Sequence, residues 1–70
     1  MVRINDKEYD YRPGMSLRAL AEGHFTDIPK VVFEDFVVVV NGGAINSALA
    51  EERILEESDA VFMVPKVDGG

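Results

Sequence analysis

Cysteine is absent from this chain of 70 residues, and so is tryptophan. Without cysteine there is no disulfide framework, no thiolate zinc site and no cysteine nucleophile. That composition fits a reducing compartment, and a cytoplasmic location is the expectation. Histidine occurs once, at His24, with no second ligand type beside it, so a surface or helix-end histidine is expected rather than a metal ligand. Basic residues are few: 7 Lys and Arg stand against 13 Asp and Glu, for a net charge of −6. Nucleic acid would be repelled by such a chain, and no nucleic-acid partner is expected. The excess acid serves solubility and, functionally, would steer the chain toward a partner with a basic docking surface. No apolar run approaches the roughly 20 residues of a membrane span. Met1-Val2-Arg3-Ile4 runs straight into polar residues, unlike a secretory leader, so no membrane partner is expected.

What the chain does have is apolar content, 47% of its residues, which argues for a packed body over disorder. The length suits one small domain that buries only about 60% of its extended surface on folding. Val2-Arg3-Ile4 and Glu8-Tyr9-Asp10-Tyr11 alternate around the turn residues Asn5-Asp6-Lys7 and predict a β-hairpin, with both tyrosines on one side, facing the core or covering an edge. Pro13-Gly14 ends it. Ser16 is a good N-cap for a helix of about two turns carrying Leu17, Leu20 and Ala21, with Gly23 where a helix usually stops. So short a helix must pack on a sheet.

Residues 24–35 follow no single period. Pro29 excludes a regular central strand there, and Val31-Val32-Phe33 reads as a helical extension, an extra turn or a loop packing its own side chains. Phe36-Val37-Val38-Val39-Val40 is the strongest strand signal, apolar on both faces. One helix covers only one face of a small sheet, so the other face is either an apolar strip or covered by a partner. Asn41-Gly42-Gly43 is a turn with capacity for positive φ. It lacks the helix start and basic residue of a phosphate cradle. Ala44-Ile45-Asn46 predicts a short strand, and Ser47 caps one helical turn with acids near its start. Arg53-Ile54-Leu55 is extended, and Glu56-Glu57-Ser58-Asp59 reads as a solvated acidic turn. Residues 60–64 form the last strand, with Val61 and Met63 facing one way and Phe62 and Val64 the other. In a single sheet this strand can lie parallel beside the first, with the helix crossing one face.

After Val64, Pro65 cannot donate to a ladder. The expected organisation is a domain over residues 1–64 and a flexible tail over 65–70. Six residues can extend about 20 Å. Gly69 and Gly70 lack side chains and can thread a channel too narrow for other residues, which would present a carboxylate deep inside another protein. A frayed terminus is the simpler alternative.

Three stretches in order resemble the ubiquitin-like sulfur carriers, the thiamine-pathway carrier ThiS and the molybdopterin synthase small subunit MoaD. They are the hairpin followed by Pro13-Gly14-Met15-Ser16-Leu17 and the helix with Leu20; Val38-Val39-Val40-Asn41-Gly42; and Asp59-x-Val61 followed by Val67-x-Gly69-Gly70. The resemblance covers almost the whole chain. It implies an α+β fold of the β-grasp (ubiquitin-like) type, a mixed sheet of four to five strands packed on one main helix. It also implies a protein cosubstrate rather than an enzyme. An E1-like adenylyltransferase would use ATP to adenylate the Gly70 carboxylate, with no cofactor bound by the carrier itself. A sulfur donor would make the thiocarboxylate, and the sulfur would pass to a thiazole synthase in thiamine biosynthesis or to the molybdopterin synthase large subunit. Val67, Asp68, Gly69 and Gly70 would thread the partner's active site. Ala44-Ile45-Asn46-Ser47 stands where thiamine-type carriers often have Val-Pro-Arg, and Val64-Pro65-Lys66-Val67-Asp68 looks closer to the molybdopterin type. A ubiquitin-like modifier joined through Gly70 and a non-covalent β-grasp binding module are the alternatives. The side-chain alternation adds a docking expectation: if Val61 and Met63 pack under the helix, Phe62 and Val64 lie on the open face beside Phe36–Val40, in an apolar patch rimmed by acids.

Overall fold

The computed structural model describes residues 1–66, which begin with the expected hairpin. Strands β1 (Val2–Ile4) and β2 (Lys7–Tyr9) pair antiparallel, with Ile4 opposite Lys7. The turn is tighter than expected, since Lys7 already belongs to β2 and Tyr11 lies beyond it. Asn5 takes the left-handed conformation at φ 55°, which asparagine tolerates better than most residues. Tyr9 and Tyr11 are both half-buried against the core.

Gly14, at φ 82° behind Pro13, closes a turn in which the Met15 amide donates to the Arg12 carbonyl at 3.1 Å. Pro then Gly with positive φ is the type II pattern. Helix α1 (Leu17–His24) follows, capped by the Ser16 hydroxyl, which accepts from the Ala19 amide at 3.1 Å. The helix does not stop at Gly23 but runs to His24, and the Phe25 amide closes it on the Ala21 carbonyl at 2.9 Å. Tertiary contacts override the glycine signal. The Tyr9 hydroxyl hydrogen-bonds His24 Nδ1 at 2.6 Å, and the Phe25 ring packs 5.1 Å from that of Phe36.

Beyond His24, residues 25–35 form a loop that packs its own side chains and ends in a 3₁₀ turn, Phe33–Asp35. Val31 and Phe33 are buried while Val32 between them is exposed. Strand β3 (Phe36–Val40) matches its expected bounds. Asn41 and Gly42, at φ 51° and 85°, make the two-residue turn into β4 (Gly43–Ile45). Positive φ at both central residues is the hairpin turn that Asn-Gly favours. Helix α2 (Ser47–Glu52) is capped by Asn46 rather than Ser47: Asn46 Oδ1 accepts from the Leu49 amide at 2.8 Å. Its first turn holds no acid, contrary to expectation. α2 packs on α1, the 3₁₀ turn and β3. The 53–55 segment then returns past the start of α1. Leu17 donates to the Arg53 carbonyl at 3.0 Å and Leu55 to the Met15 carbonyl at 2.9 Å.

Strand β5 (Ala60–Pro65) lies in the middle of one five-stranded mixed sheet of order β2-β1-β5-β3-β4. It runs parallel to β1 and antiparallel to β3. The inner face carries Val2, Ile4, Phe36, Val38, Val40, Val61 and Met63, all buried with Leu17 and Ala21 of α1 and with Phe33, Ala50 and Leu55. The chain is therefore an α+β protein with a mixed sheet, one longer helix and one short one. Among the described residues no helix is long and apolar enough to cross a membrane.

Candidate docking face and strand exit

Alternation along β3 and β5 divides their side chains between core and solvent. The register sets Val37 opposite Val64 and Val39 opposite Phe62. Both pairs lie on the face away from the helices. Phe62 is 49% exposed, Val64 55% and Val37 47%. The two expected docking residues, Phe62 and Val64, thus share one apolar strip with Val37 and Val39. Ala44 on β4 extends it opposite Val39. On the other flank, Arg3 lies opposite Ala60 in register and pairs with Glu8 at 2.9 Å. The flank toward β1 and β2 is therefore an ion pair of both signs, not the acidic rim expected there. β2 and β1 each contribute one charged residue to this face, so their alternation ends the apolar strip.

β5 extends past the expected boundary at residue 64. Pro65 is its last residue, opposite Phe36, and the Lys66 amide still donates to the Asp35 carbonyl at 2.8 Å. Val67, Asp68, Gly69 and Gly70 lie outside the described residues.

One polar centre was not foreseen. Asp59, assigned to a solvated turn, is 3% exposed. Its Oδ1 accepts from Asn41 Nδ2 at 2.9 Å, and its Oδ2 accepts from an Arg53 guanidinium nitrogen and from the Glu56 amide, both at 2.8 Å. Burial pushes this carboxyl up. The Glu56 amide, the Asn41 and Arg53 hydrogen bonds and the Arg53 charge together outweigh burial and hold it below the usual carboxylate value. Asn41 turns its carbonyl oxygen to the Ala60 amide at 2.9 Å. Asp59 thereby ties the β3–β4 turn and the end of α2 to the start of β5. Only the resemblance, through Asp59-x-Val61, had singled it out; acidic neighbours at 56 and 57 masked it in the local pattern.

A second polar device lies further along β5. The Asn5 carboxamide donates to the Met63 carbonyl at 3.3 Å and accepts from the Met63 amide at 2.9 Å. It occupies the place a further β1 residue would take. His24 sits at the end of α1, as expected, and is half-buried beneath Tyr9. Among the described residues no three His, Asp or Glu side chains converge as metal ligands. A surface concavity of about 270 Å³ opens beside Met1, Arg3, Glu8, Ser58 and Ala60. Asp59 borders it, but its oxygens are already committed to protein donors.

The described residues define a small α+β domain with one covered and one open sheet face and a central strand leading toward residue 67. No protein-family model, curated protein or solved structure matches the chain.

Proposed function

We propose that this chain is a β-grasp sulfur carrier that works through the Gly70 carboxylate. The observation that carries the reading is the placement of β5. The strand leading into Val67-Asp68-Gly69-Gly70 is the central one, and its outward side chains Phe62 and Val64 lie uncovered beside it. A central β5 that joins the β1–β2 hairpin in parallel to the antiparallel β3–β4 hairpin, with a helix against one face, supports the β-grasp assignment. Three sequence stretches resembling the thiamine-pathway and molybdopterin-type carriers supply the chemistry.

In this reading Phe62 and Val64 dock the chain onto an E1-like adenylyltransferase, and the negative net charge favours a basic surround on that partner. A Gly70 carboxylate oxygen attacks the α-phosphorus of ATP and pyrophosphate leaves. A donor at the sulfide oxidation level then attacks the carboxyl carbon and AMP leaves, giving the thiocarboxylate. Gly69 and Gly70 admit the end to narrow active sites, with Val67 and Asp68 behind them. The recipient we favour is a thiazole synthase of thiamine biosynthesis, and the molybdopterin synthase large subunit is the alternative. The chain is then a cytoplasmic cosubstrate and not the catalyst.

The test is co-expression of the 70-residue chain with adenylating enzymes of each type, followed by intact-mass measurement. The expected product carries one sulfur in place of one oxygen at Gly70, and deleting Gly70 removes it without changing the melting temperature. If neither enzyme type modifies the chain, the carrier reading fails. Higher-mass conjugates through Gly70 would identify a protein modifier instead. Partner binding indifferent to loss of Gly69 and Gly70 would identify a non-covalent module.

A further inference from the structure

Hydrogen-bonded and non-hydrogen-bonded residue pairs alternate along an antiparallel ladder. Two bonds fix the phase of the β3–β5 ladder. The Asn41 amide donates to the Ala60 carbonyl at one end and the Lys66 amide to the Asp35 carbonyl at the other, each at 2.8 Å. With the observed register, Val40–Val61 and Phe36–Pro65 are then non-hydrogen-bonded pairs. The backbone nitrogens of residues 61, 63 and 65 accordingly face away from β3, toward the β1 side. At Met63 that amide is met by Asn5 Oδ1. By residue 65, β1 has ended, and the residue there is the one type with no N–H to leave unpaired. The ladder therefore loses nothing at Pro65 and resumes at Lys66. The carbonyl that receives Lys66 belongs to the 3₁₀ turn Phe33–Asp35, whose Phe33 is 1% exposed.

We propose that this turn is a clasp that holds β5 through Lys66 and makes Lys66 the positioning residue for the Gly70 carboxylate. The proposal rests on the carrier reading. The reach is then counted from Lys66, four residues and at most about 14 Å, rather than six residues and about 20 Å from Val64. The reacting centre of the adenylating partner lies within that shorter distance of the docked Lys66. The sequence of residues 24–35, which follows neither a helix nor a strand period, acquires a purpose: it carries the receiving carbonyl to the end of β5.

Lys66→Pro tests this, because it removes the donor and leaves the side chains of the docking strip in place. Lys66→Ala, which keeps the amide, is its control. In the unmodified chain the Lys66 amide should exchange with solvent at least about 100-fold more slowly than in a free peptide. With the adenylating enzyme that passes the mass test, Lys66→Pro should lower kcat about tenfold with KM little changed, since docking is intact and orientation is not. Lys66→Ala should behave as the parent chain. Free-peptide exchange at Lys66, or equal kcat for the Pro and Ala variants, overturns the clasp while leaving the carrier reading standing. If no enzyme adenylates the parent chain, the carrier reading falls and the positioning role falls with it, whatever the exchange rate.

Discussion

Asp59 is charged, 3% exposed and shared by three donors from three different segments. Arg53 pays the smaller share of desolvation, since 31% of its side chain remains in solvent. Removing the carboxylate leaves Asn41, the Glu56 amide and Arg53 each short of an acceptor. We expect Asp59→Ala to cost about 2–4 kcal/mol in urea unfolding at neutral pH. The pH dependence follows from the direction of its titration. The folded carboxyl lies below its unfolded value of about 3.9. Its stabilisation is complete above that value and is lost as pH falls through the folded one. Between neutral pH and acid, the parent chain should therefore lose more stability than Asp59→Ala. Parallel losses would assign the acid sensitivity to other carboxylates.

At the scale of elements, strong local signals were legible and adjacent equivalents were not. The bounds of β3 follow from its β-branched apolar run and the Ser16 cap from capping chemistry, while alternation groups Val61 with Met63 without deciding that they point inward. Asn46 and Ser47 are both good caps, and the choice between them is made by a neighbour. β4 must extend to Ile45 to pair with Val38, which leaves Asn46 as the first residue free to cap. Asn46→Ala should then cost about 1 kcal/mol in chemical denaturation and Ser47→Ala only a few tenths. The reverse order would return the cap to Ser47. The missing donor of Pro65 predicts a strand end at residue 64, but it costs a ladder bond only where that nitrogen faces β3, and here it faces away. That phase is set by β3, whose Phe36 lies opposite Pro65 although it stands 29 residues earlier in the chain. Residues 24–35 were unreadable for a related reason: Val31 and Phe33 answer to the core and not to a repeat of their own.

Across the whole molecule, the two faces of one sheet should respond differently to the same kind of change. Phe33 is buried and Phe62 is half exposed. Phe33→Ala should cost about 3–5 kcal/mol, and Phe62→Ala under about 1 kcal/mol. On the proposed carrier reading, the second should instead weaken binding to an adenylating partner about tenfold or more, measured by titration calorimetry. Comparable losses of stability would place Phe62 in the core and remove the docking strip. Alternation separates Phe62 and Val64 from Val61 and Met63 in the sequence, but both sets are apolar, and the packing of the helices on the sheet decides which set is open. The flank of the open face was missed although the last strand was already expected beside the first: Arg3 stands between the inward Val2 and Ile4, so it points outward and meets Glu8 across the hairpin. The central position of β5 has a consequence in time as well as in space. β1 and β2 can pair early, and so can β3 and β4, but the strand that joins the two hairpins leaves the ribosome after all four of them. Isolated two-stranded hairpins are marginal in water. Until residues 60–65 are available, a growing chain holds two half-sheets with their apolar inner faces unjoined. Closing the sheet then requires a contact between residues 3 and 60, a long-range step of the kind that makes small proteins slow to fold.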